Sequence, residues 1–144
     1  PGGATPFTES CKRIALTRRG KGIMVVISDF LIKEGYDSGL RMLLGHGYEL
    51  FAIPVLSPQE KKPTIGGDLR LKDVEDADLT ELTITSSLLK KYDQTVRAYF
   101  TRMRDFCAAR SISLMLDTDG LPVSSDKPID IILLDYLRRR GLLR

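Results

Sequence analysis

Histidine and cysteine are scarce in this sequence of 144 residues, which contains one His and two Cys. His46 lies between two glycines, a pattern typical of a helix-to-strand turn, and Cys11 and Cys107 lie in helical patterns. No Cys-His-acid or Ser-His-acid set can be assembled, and a zinc site ordinarily needs several Cys or His ligands. We interpret both cysteines as buried thiols of a cytosolic protein, since a disulfide would require their two helices to be in contact.

Long apolar runs and a strong charge imbalance are also missing. The longest apolar run, residues 22–27, is far shorter than the roughly 18 residues of a membrane span, and no signal peptide is evident. Lys and Arg number 22 against 19 Asp and Glu. The cationic clusters at 12–21 and 138–144 are typical of solvated helix termini, with phosphate contacts as the alternative. We expect a cytoplasmic segment that binds no nucleic acid and does not insert into a membrane. Membrane association of the full-length protein stays open.

The length and the hydrophobic fraction of 42% are those of one soluble domain, residues 1–144. The sequence opens with Pro1-Gly2-Gly3 and has no Met there. We therefore expect the chain to begin inside a larger protein, with a cleaved tag or initiator Met as the alternative. No phosphate loop and no glycine-rich dinucleotide motif follows a predicted strand, so the usual nucleotide sites are not indicated.

Hydrophobic periodicity predicts helices over residues 6–18, 36–44, 86–110 and 128–140, and strands over 23–27, 48–56 and 112–116. The continuous β-branched run at 23–27 favours a strand buried on both faces, and Pro54 is expected to weaken the end of the second strand. Alternation over 68–73 and 81–85 predicts a small β-hairpin. The last helix is expected to bury Ile129, Ile132, Leu133 and Leu137. Strands separated by helices indicate an α/β fold, a parallel sheet with helices on both faces.

Oxygen-bearing side chains are predicted near the carboxyl ends of two strands, where open parallel sheets bind ligands. Asp29 follows the first strand directly after Ser28, and Asp117 and Asp119 follow the third; Thr5 precedes the first helix. Carboxylate and hydroxyl oxygens are the ligands that Mg²⁺ takes in proteins. The same residues could instead cap helices or form turns.

Two segments resemble the second and third parts of a metal-ion-dependent adhesion site in a von Willebrand factor A-like domain: Gly2-Gly3-Ala4-Thr5 before a helix, and residues 22–30, which end in Ser28-Asp29-Phe30. Three further segments, residues 67–75, 88–92 and 136–143, are similar to the bacterial family called domain of unknown function fifty-eight. The resemblance extends over nearly the whole chain.

This resemblance implies a three-layer, Rossmann-like fold of the von Willebrand A type, of which the chain would be the C-terminal part, truncated at its N-terminus. It assigns Thr5 and Asp29 as metal ligands. The Asp-x-Ser-x-Ser motif that forms the first part of such a site is absent from this sequence. We therefore expect Mg²⁺ to bind this chain weakly or not at all.

Members of the family are often encoded beside MoxR-type ATPases of the AAA+ class, which implies an adaptor or assembly factor. We expect a non-catalytic protein-interaction module. The alternative is a metal-assisted hydrolase, which requires Asp29, Asp117 and Asp119 to converge within a few ångströms. A nucleic-acid binder using residues 138–144 ranks third. The strand at 23–27, having lost a neighbour by truncation, predicts self-association through its edge.

Overall fold

The computed structural model describes residues 6–17, 22–63 and 79–141. Its helices are α1 (Pro6–Thr17), α2 (Asp37–Gly45), α3 (Pro58–Lys61), α4 (Leu79–Ala109) and α5 (Ile129–Arg139). Its strands are β1 (Ile23–Ser28), β2 (Glu49–Leu56), β3 (Ser113–Leu114) and β4 (Val123–Ser124). Among the described residues, no helix combines the length and the apolar character that crossing a bilayer requires.

The strands form a parallel sheet in the order β1-β2-β3, and β4 pairs with the end of β2. This confirms the predicted α/β class with a parallel sheet. β2 pairs with β3 through Phe51 and Ala52 and with β4 through Val55 and Leu56. Pro54 lies between these two partner segments, where its missing N–H costs no hydrogen bond to either of them, so the strand continues beyond it.

Helices cover both faces of the sheet, because the two hydrophobic clusters use alternate residues of β2. The larger cluster contains Leu50, Ala52 and Leu56 of β2 and buried side chains of α1, α2 and α4. The smaller contains Ile53 with Met115, Val123, Ile132 and Tyr136. Successive residues of a strand point to opposite faces, so α5 covers the face opposite α1, α2 and α4.

α1 and α2 approach closely at one glycine. A Cβ atom on Gly39 would lie 2.7 Å from Cε1 of Phe7 and 3.0 Å from Sγ of Cys11. Both distances are shorter than an ordinary van der Waals contact, so a side chain at this position would separate the helices. The missing Cβ therefore allows α1 to lie against α2, which buries Cys11 in the larger cluster.

The first of three corrections to the sequence interpretation concerns secondary structure. Residues 81–85 belong to α4 and not to a hairpin. An alternation of five residues is also compatible with a helix, and extending an existing helix gains a hydrogen bond per residue without a new nucleus. The other half of the predicted hairpin, 68–73, lies outside the described residues. The predicted strand at 112–116 pairs as a strand only at Ser113–Leu114.

The burial of β1 is the second correction. Its side chains alternate between exposed and half-buried, and Ile23, Val25 and Ile27 are 65%, 51% and 63% exposed. Their register places them opposite Glu49, Phe51 and Ile53, on the face that α5 covers only farther along the sheet. One face of β1 is thus uncovered, because α5 packs on that face nearer to the other edge of the sheet.

The third correction concerns the inward face of α5. Ile132 and Tyr136 are buried, and their four-residue spacing places them on the same face of the helix. Leu137 is partly buried against them. Ile129 and Leu133, which were expected to face the core, are exposed. The apolar side chains of α5 therefore extend beyond the part of its surface that contacts the sheet.

Leu40 and Leu16 provide a matched test of the larger cluster. Leu40 is 0% exposed and Leu16 is 69% exposed. We expect Leu40→Ala to lower the free energy of unfolding by about 2–5 kcal/mol, because it leaves a cavity. Leu16→Ala should change it by no more than about 0.5 kcal/mol. Urea unfolding followed by circular dichroism measures both, and equal effects would contradict this core assignment.

Candidate functional site at the carboxyl ends of the strands

The loop after β1 holds the first predicted site residue. Ser28 Oγ accepts a hydrogen bond from the Phe30 amide at 3.0 Å, and Asp29 Oδ1 accepts one from the Leu31 amide at 2.9 Å. Asp29 is exposed, and its Oδ2 has no hydrogen bond to another described residue. Two short side chains thus accept hydrogen bonds from the backbone two residues on, which holds the exposed Asp29 carboxylate at the sheet edge.

Phe30 has a left-handed backbone, with φ of +56°, and its side chain is fully buried. Its ring makes edge-to-face contacts with Phe7 and Tyr36, at centroid distances of 6.0 Å and 6.3 Å. Its carbonyl accepts a hydrogen bond from the Tyr99 hydroxyl. A bulky residue in this conformation costs about 1–3 kcal/mol, and such outliers cluster at functional sites. The buried ring fixes the position of the exposed carboxylate beside it.

Asp117 and Asp119 lie together after β3 in a network with two lysines. Lys61 Nζ lies 2.9 Å from Asp117 Oδ2 and 3.3 Å from Asp119 Oδ2, and Lys127 Nζ lies 3.1 Å from Asp117 Oδ2. The Thr118 amide donates to Asp117 Oδ1. Burial raises the pKa of Asp117, but the hydrogen bonds from Lys61, Thr118 and Lys127 outweigh it and hold that pKa well below its usual range.

The short helix α3 positions Lys61. Ser57 and Glu60 form a reciprocal capping box at its start, with Pro58 in the first turn. The Tyr92 hydroxyl donates a hydrogen bond of 2.6 Å to the Glu60 carbonyl, which attaches α3 to α4. The sequence analysis predicted no helix over this segment and did not include Lys61 in the site. The spacing of Ser57 and Glu60 was the signal that could have found the helix.

This arrangement does not form the carboxylate cluster that a metal-assisted hydrolase requires. Two ammonium groups already neutralise Asp117, and they disfavour a divalent cation at the same place. Within the described ranges, no group of three or more His, Cys, Asp or Glu side chains could hold a metal ion. Asp29 is therefore not in one cluster with Asp117 and Asp119. Thr5 lies outside the described residues, so its pairing with Asp29 stays a prediction.

This chain matches a protein-family model. The family model described as Protein of unknown function DUF58 matches residues 1–119. The chain belongs to this family. The DUF58 match confirms the family resemblance and includes Asp29, Asp117 and Asp119, whereas α5 lies beyond it. Neither the curated proteins nor the solved structures contain a match.

Acid titration tests the Asp117 network. The folded-state pKa of Asp117 is lowered, so the stabilisation is complete above the unfolded pKa of about 3.9 and is lost as the pH falls below it. We expect Asp117→Asn to lower the free energy of unfolding by about 1–3 kcal/mol at pH 7 and to flatten its fall in acid.

Asp93→Asn is the matched control, since Asp93 forms an exposed ion pair with Arg97. It should cost no more than about 1 kcal/mol. Denaturant unfolding at pH values from 2 to 7 compares the two variants. An Asp117→Asn curve parallel to that of the unaltered chain would contradict the lowered pKa.

Proposed function

We propose that this DUF58 chain belongs to a non-catalytic, cytoplasmic protein-interaction domain of the von Willebrand A type. It would act as an adaptor or assembly factor for a MoxR-type AAA+ ATPase. The observation that carries the proposal is the strained loop after β1, in which buried Phe30 holds exposed Asp29 at the carboxyl end of a parallel strand. That is the place where open parallel sheets bind their ligands.

The exposed carboxylate of Asp29 gives this loop its proposed role in contact with a partner. A carboxylate oxygen facing solvent suits Mg²⁺, which is held by one or two carboxylates and keeps several waters. We propose that Asp29, with Thr5 as the second ligand, binds Mg²⁺ weakly in the isolated chain, and that an acidic side chain of the partner completes the coordination. The partner would then be recognised through the metal.

The thiols and the histidine support a non-catalytic role. Burial raises the pKa of Cys11, and it raises the pKa of Cys107 to about 11 although nearby Arg110 opposes it. Both groups are thus protonated thiols at neutral pH, and thiols are much weaker nucleophiles than thiolates. His46 Nδ1 lies 3.0 Å from the carbonyl oxygen of Met42 in its own helix terminus, far along the sequence from either cysteine.

Binding to the ATPase tests the role of Asp29. We expect Asp29→Asn to keep the hydrogen bond to Leu31 and the fold, because the amide oxygen can still accept it, but to weaken Mg²⁺-dependent binding about tenfold or more. Asp105→Asn, on the exposed side of α4, makes the same charge change away from the loop. Isothermal titration of the ATPase with and without Mg²⁺ measures both. Equal affinities of the two variants would contradict the proposal.

We further propose that two copies of this chain associate through β1. The outer edge of β1 pairs with no strand among the described residues, and its six residues include no charge, Pro or Gly that would protect it. Antiparallel pairing centred on Val25 would place Ile23 of one copy opposite Ile27 of the other. The exposed apolar side chains of both copies would then form one continuous row.

Sedimentation velocity tests this association. We expect the unaltered chain to show a concentration-dependent dimer, and Val25→Lys to shift it to monomer, because a lysine in each copy would face its counterpart across the pair. Leu88→Lys places the same charge at an exposed apolar position of α4 and should leave the dimer unchanged. A chain that stays monomeric at every concentration measured would rule out the edge contact.

A further inference from the structure

We propose that the cavity between α4, the end of β3 and the last turn of α5 binds a small phosphorylated molecule through its phosphoryl group. The cavity has a volume of about 320 Å³, and its lining includes Arg104, Arg139 and Arg140. Leu114, Leu116 and Tyr136 contribute apolar surface. This volume is at the lower end of the range of small-molecule sites.

The lining of this cavity has more positive than negative side chains. Three guanidinium groups line it, and Asp117 is the one carboxylate among the described residues of its lining. The Asp117 carboxylate is already bound by Lys61 and Lys127. It therefore offers little negative charge to the three arginines, and the local field favours an anion.

Hydrogen bonds to β3 and its continuation hold two of these arginines in place. Arg139 Nη2 donates to the Leu116 carbonyl at 2.9 Å, and Arg140 Nη2 donates to Ser113 Oγ at 3.1 Å. A cation that only interacts with the dipole at the end of its own helix needs no hydrogen bond to another segment. These two instead extend across to the neighbouring chain segment, so they border a cavity and not only open solvent.

Donors remain available for a ligand. Each guanidinium carries five N–H groups, of which Arg140 uses one in a bond to the described residues. Arg139 also pairs through Nε with Asp135, at 3.3 Å and on the exposed surface of α5. Arg104 has no hydrogen bond or ion pair to another described residue. The cavity thus combines two guanidinium groups held by hydrogen bonds with a third that has no ion pair among the described residues.

A phosphoryl dianion fits this arrangement better than a carboxylate. Its three terminal oxygens can accept hydrogen bonds from several guanidinium groups at once, whereas a carboxylate has two oxygens and half the charge. The apolar side chains and the small volume favour a compact phosphate monoester over an extended polyanion. Charge and size therefore point to the same ligand class.

Titration with glycerol phosphate at constant ionic strength tests the site. We expect saturable shifts of the backbone amide resonances of Thr118 and Gly120, which line the cavity. Arg104→Gln should weaken binding roughly tenfold, because it removes charge-assisted hydrogen bonds. Arg140→Gln should weaken it in the same direction. Arg13→Gln, on the exposed surface of α1, is the matched control and should leave the affinity unchanged.

Three results would overturn the proposal. Unsaturated shifts spread over all basic side chains, with equal effects of Arg104→Gln and Arg13→Gln, would indicate general screening of charge. Acetate binding as tightly as glycerol phosphate would indicate a carboxylate site. A single-stranded oligonucleotide that binds far more tightly, with a steep loss in salt, would indicate a polyanion surface. Circular dichroism of each variant checks that loss of binding is not loss of fold.

Discussion

The burial of the Phe30 ring is the interaction on which the rest of the structure depends. This residue lies in the loop after β1. Its ring contacts Phe7 of α1 and Tyr36 at the start of α2, and its carbonyl accepts a hydrogen bond from Tyr99 of α4. One residue, through its ring and its carbonyl, thus joins the three helices that cover the same face of the sheet. The gain from burying it offsets a backbone conformation that a bulky residue otherwise avoids, and it fixes the exposed carboxylate next to it.

The two faces of the sheet are covered unequally, and this determines where the surface can interact. Three helices cover one face. Among the described residues, α5 alone packs on the other face, against Ile53 and Val55 of β2 and against Met115 and Val123. The outward residues of β1 therefore remain exposed although they are as apolar as core residues. At the opposite side of the molecule, α5 places arginines next to β3. The same helix thus leaves an apolar strand uncovered and creates a positively charged cavity.

Local sequence patterns predicted most of the helices and strands, but they predicted few of the contacts that these elements make. Helical periodicity located α1, α2, α4 and α5, since apolar residues three and four positions apart must share a face. The ends of strands located Asp29, Asp117 and Asp119 correctly, because a strand and the turn after it are read from adjacent residues. The partners of the aspartates were not predictable in this way: Lys61 is 56 positions from Asp117 in the sequence, and only the packing of α3 brings it near.

The sequence by itself determined the α/β class, the parallel sheet, the family and the places where polar residues end strands, because each depends on local periodicity or on motifs in a fixed order. Only the tertiary structure decided which apolar residues are buried and which partners each carboxylate contacts. Ile23 and Ile27 have the chemistry of core residues, but burial requires a neighbouring element, and α5 packs elsewhere. Asp117 has the chemistry of a metal ligand, but Lys61 from a distant segment, together with the nearby Lys127, neutralises it. Both outcomes depend on contacts between residues far apart in the chain, which local patterns do not specify.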